Sequence, residues 1–431
     1  MLGLNRALVK GSFILVLAFG LYNFLHFLFQ FFMARMLSVP DYGVLASLFA
    51  IIYIAAILVE SIQTIIAKYS ANEENNGKLK NLLRKSFRKA GFLAAIMFAV
   101  YLLIAIPLSF FLHIPYLLVS LTGLIIVFAF FTPVSRGVMQ GKKRFLSLGW
   151  NLFFEAAGKL VFGAGLVMLG FKVYGAIIGA TIGGVIALVL SFVQLKDIFT
   201  SKEEKTKSAG IYDYAKPTFF IMAIIIIFYS LDVIIAKMIF TDDAAAGNYA
   251  IASILGKIIF WGTLPISKAM FPISAENSEK KESRTGTLAN SLILVIIGVI
   301  FVLMIFYFAP GFIVMFFSNK EYADISTAIS VLFPVGLAFA FISIANLILL
   351  YKLSIGRTKN YGVLFFFVLI EIALLVYFSK DVVQFSWAFV AASVALLIGT
   401  IFLPNQKIDA PPRTKVRDLN GARFLDASKF L

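Results

Sequence analysis

Cysteine is absent from this chain of 431 residues, so neither a disulfide nor thiol chemistry is open to it. Its two histidines, His26 and His113, are too few to hold a metal by themselves. Charged residues are scarce, at 14%, where soluble domains carry about a quarter. Apolar residues take their place: 61% of the chain is hydrophobic, 47 residues are phenylalanine, and mean hydropathy is +0.95. Apolar runs of ~18 residues or more recur from end to end, each long enough as a helix to cross a hydrocarbon core of about 30 Å. These features describe an all-α polytopic membrane protein. The net charge of +16 would suggest nucleic acid in a soluble protein. In a membrane protein, basic residues on one side set topology instead, so no nucleic-acid partner is expected, and no cofactor.

Twelve spans are expected, at residues 12–33, 44–67, 91–112, 116–135, 148–170, 173–195, 216–239, 247–270, 288–308, 325–350, 361–379 and 384–403. The first run is too long for the apolar core of a cleaved signal, and no small-residue cleavage site follows it. With the N-terminus in the cytoplasm, and charges at the ends of spans counted with the side they adjoin, 31 of the 38 Lys and Arg fall on the cytoplasmic side and five on the exterior side, leaving Lys159 and Lys257 deep inside spans. That asymmetry is what the positive-inside rule demands. Both termini are therefore expected in the cytoplasm, with the protein in the cytoplasmic (inner or plasma) membrane.

Residues 77–90 read as an interfacial amphipathic helix, with Leu79, Leu82, Leu83 and Phe87 on one face and six Lys/Arg on the other, drawn to anionic membrane lipids. Gly175, Gly179 and Gly183 form a stripe that lets another helix approach closely. Pro107, Pro133, Pro265 and Pro334 interrupt spans and permit kinks. Residues 405–431 read as a cytoplasmic tail.

The halves echo each other. Ala34–Met36, a polar turn, Gly43 and Ala46-Ser47 are matched by Ala236–Met238, a polar turn, Gly247 and Ala252-Ser253, at an offset of 202–206 residues. Six spans per half is an even number, so the halves share orientation and are related by an axis along the membrane normal. The expected domains are a six-helix lobe at 1–200, a second at 201–404, and the tail. A site near the midplane between two lobes, with alternating access, follows.

Intramembrane charges are costly and are functional candidates by default, at no less than ~2.5–3.5 kcal/mol each. Six fall inside spans: Glu60, Glu155, Lys159, Asp232, Lys257 and Glu371. Arg35 and Lys237 sit at the exterior ends of spans one and seven, in matching repeat positions. Glu155 and Lys159 are one helical turn apart and can pair. Asp232 can pair with Lys257 or with Lys237. Arg35, Lys237 and Lys257 make the outer part of a cleft positive, which suits phosphate oxygens better than a cationic drug.

These residues resemble a known family. ARMLSVPDYGVLASLFA (34–50), RGVMQGKKRFLSLGWNLFFEAAGKLVFG (136–163) and SLDVIIAKM…GNYAIAS…FPISAE are similar to signatures of the Wzx-type polysaccharide flippases. The order and spacing hold over roughly residues 1–400, with a departure at Ser38-Val39, where the family has a glycine. That family shares a superfamily with the MATE exporters and the lipid II flippases. The resemblance implies two six-helix lobes with spans one, two, seven and eight lining a cavity. It also implies transfer of a polyprenyl-linked oligosaccharide to the outer leaflet, beside glycan polymerase or ligase machinery and without enzymatic chemistry. By the same resemblance Arg35, Asp232, Lys237 and Lys257 become cavity candidates; Glu60, Glu155, Lys159 and Glu371 are read, from their place inside spans, as coupling or structural charges. Proton, sodium and membrane potential are all compatible with an acid in a span. The rival expectation is an ion-coupled exporter of small organic cations.

Overall fold

The computed structural model describes residues 6–71, 73–205, 216–280, 284–355 and 361–403. Among these residues every regular element is helical. In order they are α1 (Arg6–Met36), α2 (Val39–Ala71), α3 (Asn76–Leu112), α4 (Tyr116–Gly141), α5 (Phe145–Leu166), α6 (Lys172–Gln194), α7 (Lys196–Thr200), α8 (Lys216–Ile239), α9 (Asp243–Lys280), α10 (Arg284–Phe308), α11 (Pro310–Ser318), α12 (Tyr322–Ser354), α13 (Leu364–Tyr377) and α14 (Val382–Phe402). All but the short α7 and α11 correspond, in order, to the twelve expected spans. By length and composition alone eight stretches qualify as membrane-crossing, and one of them, 145–194, holds both α5 and α6. Between these two a π-helical turn at Val167–Phe171 carries the chain round, with Gly170 at φ +91°, a conformation glycine adopts without strain.

The chain forms two compact units. The first comprises residues 1–219, 230–252 and 311–331; the second comprises 220–229, 253–310 and 332–431. In the first unit α6 packs along α5 at backbone distance. Gly179 lies against the backbone of Gly163, and Gly183 against the Glu155 carbonyl and the Lys159 backbone. The small-residue stripe of α6 is thus occupied by α5. Elsewhere in this unit, Gly137 of α4 approaches the Gln63 carbonyl of α2, and the Gln63 and Gln140 side chains hydrogen-bond at 2.9 Å.

One expectation changes. Residues 77–90 are not a separate interfacial helix but the first third of α3, continuous with its membrane span. Leu79 and Leu83 are fully buried, and the Phe87 ring stacks on Phe131 and Phe192. The segment after α6 covers this face. Asn81 and Arg84 donate to Glu203 at 2.6 and 2.9 Å, Lys80 to the Ser201 carbonyl at 2.8 Å, and Asn75 to Glu204 at 2.9 Å. Arg144 grips Asp197 of α7 through two hydrogen bonds of 2.8 and 2.5 Å. The physical reason is competition: an apolar face that finds protein side chains has no need of lipid. The proposed tail, residues 405–431, lies outside the described residues.

In the second unit Phe228, Phe339 and Phe389 stack into one core, with centroids 5.5–6.4 Å apart. Lys352, at the end of α12, donates to the carbonyls of Thr400, Ile401 and Leu403, closing the C-terminus of α14 with a cation.

Two outcomes follow from this packing. Gly179→Val pushes a side chain into the α5 backbone and is expected to lower stability by about 1–3 kcal/mol, read as an earlier thermal transition of the purified protein. Hydrogen bonds from Arg144 hold the Asp197 carboxyl below its ordinary range. A carboxyl with a depressed folded pKa stabilises above its unfolded value of about 3.9 and loses that effect as pH falls through the lower folded value. Asp197→Asn should therefore cost less than about 1 kcal/mol at pH 7, both partners being partly exposed. The deficit should begin to shrink as pH falls below about 4 and be gone once pH passes the lower folded value, checked by thermal unfolding across pH.

Candidate functional site

Both halves begin with the same device, a helix, a tight polar turn and a second helix. At the first turn Ser38 caps α2: its hydroxyl accepts from the Asp41 N–H at 3.2 Å and donates to the Asp41 carboxylate at 2.8 Å. At the second, the Asp242 carboxylate accepts from the Ala244 N–H at 2.9 Å and so caps α9. These caps aim the polar residues of α1, α2, α8 and α9.

On α1, Arg35 donates to the Phe316 carbonyl of α11 at 2.5 Å, and its guanidinium carbon lies 4.3 Å from the centre of the Phe31 ring. At the matching position of α8, Lys237 is buried and forms an ion pair with Asp243 in the first turn of α9. Asp243 is half-exposed, so this pair sits at the edge of the apolar interior. Lys237 therefore pairs with Asp243 rather than with Asp232.

Asp232 is fully buried, and the Tyr249 hydroxyl donates to its Oδ2 at 3.3 Å. That bond joins α8 to α9 inside the first unit. One turn below Ser253, in the second unit, Lys257 is 2% exposed. Its ammonium nitrogen lies 5.8 Å from the centre of Tyr229 and 5.7 Å from that of Phe339. Two aromatic faces at that range stabilise a desolvated cation by about 0.5–2 kcal/mol each.

A second polar cluster lies among α1, α4, α5 and α6. Arg136, expected in a loop, is instead inside α4 and buried. It forms an ion pair with Glu155 and donates from Nε to Asn151 at 2.8 Å. Asn151 in turn donates to the Ala187 carbonyl at 2.8 Å and to Ser191 at 3.0 Å. Glu155 thus pairs with Arg136 and not with Lys159. Lys159 points elsewhere: its nitrogen lies 3.4 Å from His26 Nδ1 and 4.3 and 4.1 Å from the centres of Phe29 and Phe49. Among the described residues no carboxylate lies within ion-pair distance of it. Glu371 is fully buried on α13. Glu60 lies on α2, and its side chain falls outside the described residues.

Sequence reasoning missed Tyr249, Arg136, Asn151 and His26 as partners. A tyrosine or asparagine in an apolar run carries no period that marks its neighbour, and Arg136 was hidden by ending span four at 135, six residues before the helix ends. The glycine echo, by contrast, did carry a contact. A Cβ on Gly43 would sit 2.8 Å from the Gly247 Cα, and Gly247 itself abuts the Val39 carbonyl, so the two matched glycines meet each other.

The comparisons with known proteins agree with this architecture. No protein with a curated description matches the chain. Several solved structures share its fold. The lipid II flippase MurJ in an inward closed conformation aligns with TM-score 0.64 at 13% identity, over 90% of this chain and 87% of that one. An inward-facing multidrug resistance MATE family transporter of the MOP superfamily aligns with TM-score 0.65 at 14% identity, over 88% and 93%. An outward-facing member of that description aligns with TM-score 0.62 at 12% identity, over 92% and 93%. These likenesses establish the all-α, twelve-helix, two-lobe membrane fold. The model of the family described as polysaccharide biosynthesis protein matches residues 8–278, more than half of the chain. On that match, and on the fold its helices build, the chain belongs to the polysaccharide biosynthesis protein family, as a multi-pass membrane protein.

Proposed function

We propose that this protein is a flippase that carries a polyprenyl-(pyro)phosphate-linked oligosaccharide from the cytoplasmic to the outer leaflet by alternating access, for the assembly of a surface glycan. The observation that carries the reading is the sign of its buried charge. Among the described residues the buried charged side chains are Arg136, Lys159, Lys237, Lys257 and Lys352 against Asp232 and Glu371. A low-dielectric interior with that excess of cations favours an anionic cargo. Arg136, Lys237 and Lys352 are held by a carboxylate or by helix-end carbonyls, whereas Lys159 lies against aromatic rings and a histidine; Lys257 also has two rings within reach of its ammonium. An ammonium on an aromatic face exchanges that contact readily for a phosphate oxygen. We assign Lys159 in the first unit and Lys257 in the second to headgroup binding, while the Asp232–Tyr249 bond ties α8 to α9. In this reading lobes at 1–200 and 201–404 rock about the site, in the cytoplasmic membrane with both termini inside, and supply a glycan polymerase or ligase. No covalent chemistry on the saccharide is required.

The rival, an exporter of organic cations coupled to a proton or sodium, draws on the MATE-like fold and on buried Asp232. The cationic balance of the interior opposes it.

In cells lacking every other flippase, Lys257→Met should lower glycan export about tenfold or more, about 1.4 kcal/mol of lost charge-assisted contact per decade, and Lys257→Arg should recover part of it. The lipid-linked intermediate, followed by mass spectrometry, should accumulate on the cytoplasmic side. Undiminished export in both Lys257→Met and Lys159→Met would sink the assignment. Under the rival reading, Asp232→Asn alone would abolish transport while the two lysine variants kept it.

A further inference from the structure

The lysine and arginine asymmetry assigns the α1–α2 and α8–α9 turns to the outer face. A contact on that face is explained neither by the family match nor by headgroup binding. α1 ends at Met36 and α11 at Ser318, and each C-terminus leaves carbonyls without intrahelical partners. Each is met by a cation from the other side. Arg35, in the last turn of α1, donates to the Phe316 carbonyl of α11 at 2.5 Å. Lys320, just beyond α11, donates to the Arg35 carbonyl at 3.2 Å. The two helix ends are therefore cross-tied by reciprocal cation-to-carbonyl bonds, and each cation sits at the negative end of the opposing helix dipole.

Rings close around the tie. The Arg35 guanidinium lies against the paired rings of Phe31 and Phe316, at 4.3 and 5.3 Å from their centres, which are 5.6 Å apart. Phe317 is buried against Phe27, Phe31 and Tyr42, with centroids 5.9–6.4 Å apart. Alongside, Gly43 and Gly247 touch through their backbones. All these residues fall in one compact unit, although α9 and α11 come from the second half of the sequence.

We propose that Arg35, Phe316 and Lys320 form a latch that holds this face closed, and that a phosphate-bearing headgroup releases it by drawing Arg35 away from the Phe316 carbonyl. A guanidinium bound to a neutral peptide oxygen through one nitrogen is under-used, because its planar fork matches two anionic oxygens at once. Arrival of a pyrophosphate offers that stronger, bidentate partner. Arg35 then leaves α11, the ring cluster loses its central cation, and the outer ends of the helices part. Arg35 is a positioning residue in this scheme, since it links occupancy of the site to opening. The phosphate trigger rests on the flippase reading; the latch itself does not.

The chain contains no cysteine, so single positions can be tagged. Ala46, on α2 about one turn below Gly43, is buried in the closed face. In purified Ala46→Cys protein, maleimide labelling is expected to be slow. It should quicken several-fold in Arg35→Ala and Phe316→Ala, and less in Arg35→Lys, which keeps the charge and loses the planar stack. Should Arg35→Ala not fold, Lys320→Ala removes the reciprocal bond and should act in the same direction. Unchanged labelling in Phe316→Ala and Lys320→Ala proteins that elute as the parent does overturns the latch. Adding inorganic pyrophosphate should quicken labelling of the parent and leave Arg35→Ala unmoved. A latch that loosens in the variants and ignores pyrophosphate overturns the phosphate trigger, and with it the link to the flippase reading, while the latch stands.

Discussion

A charge placed in hydrocarbon must be met by something, and this molecule is built around how each of its buried charges is met. Arg136 has a carboxylate and an amide. Lys237 has a carboxylate at the rim. Lys352 has three carbonyls at the end of a helix. Each of these ties two helices together, because breaking it would leave a desolvated ion at a cost of several kcal/mol. Such groups pin the scaffold. Lys159 is met differently, by rings and a histidine, and in the flippase reading proposed above this weaker solvation suits it to an anionic visitor.

Close packing is the second constraint, and it has its own logic in a membrane. Lipid tails are as apolar as leucine, so helices gain from contact only where backbones approach within van der Waals reach. The glycines of α6 permit this against α5, and Gly137 and Gly141 permit it between α4 and α2. The exposed phenylalanines, leucines and isoleucines of α3, α10 and α13 face outward, where a bilayer would meet them. The same arithmetic explains the first third of α3. Its leucines turned to protein as soon as α7 and the Ser201–Glu204 segment supplied a surface, and its basic side then took up acidic partners from that segment.

Much of the fold was legible because the relevant signals are local. Length and hydropathy mark helices, six spans in each half fix their relative sense, and the echo of Gly43 in Gly247 pointed to a shared position before the two were seen to touch. The site was less legible. Asp232 and Lys257 stood out because a charge in an apolar run has no other ready account. Tyr249 and His26 did not stand out, since a ring in an apolar run is ordinary. Residues 309–324 fell between expected spans, and nothing there marked Phe316 and Phe317 as the surface on which Arg35 rests.

By itself, the sequence determined that this chain is an all-helical membrane protein, how many times it crosses, and which residues break the apolar pattern. Each of these depends on one segment and the solvent around it. Only the tertiary structure decided which charge meets which partner. Glu155 lies one turn from Lys159 and yet pairs with Arg136 from another helix, and Lys237 takes Asp243 and not Asp232. Spacing along a helix offers such pairs, but the rotation and depth of the neighbouring helices choose among them. Those are set by packing over hundreds of atoms that no short stretch of sequence contains.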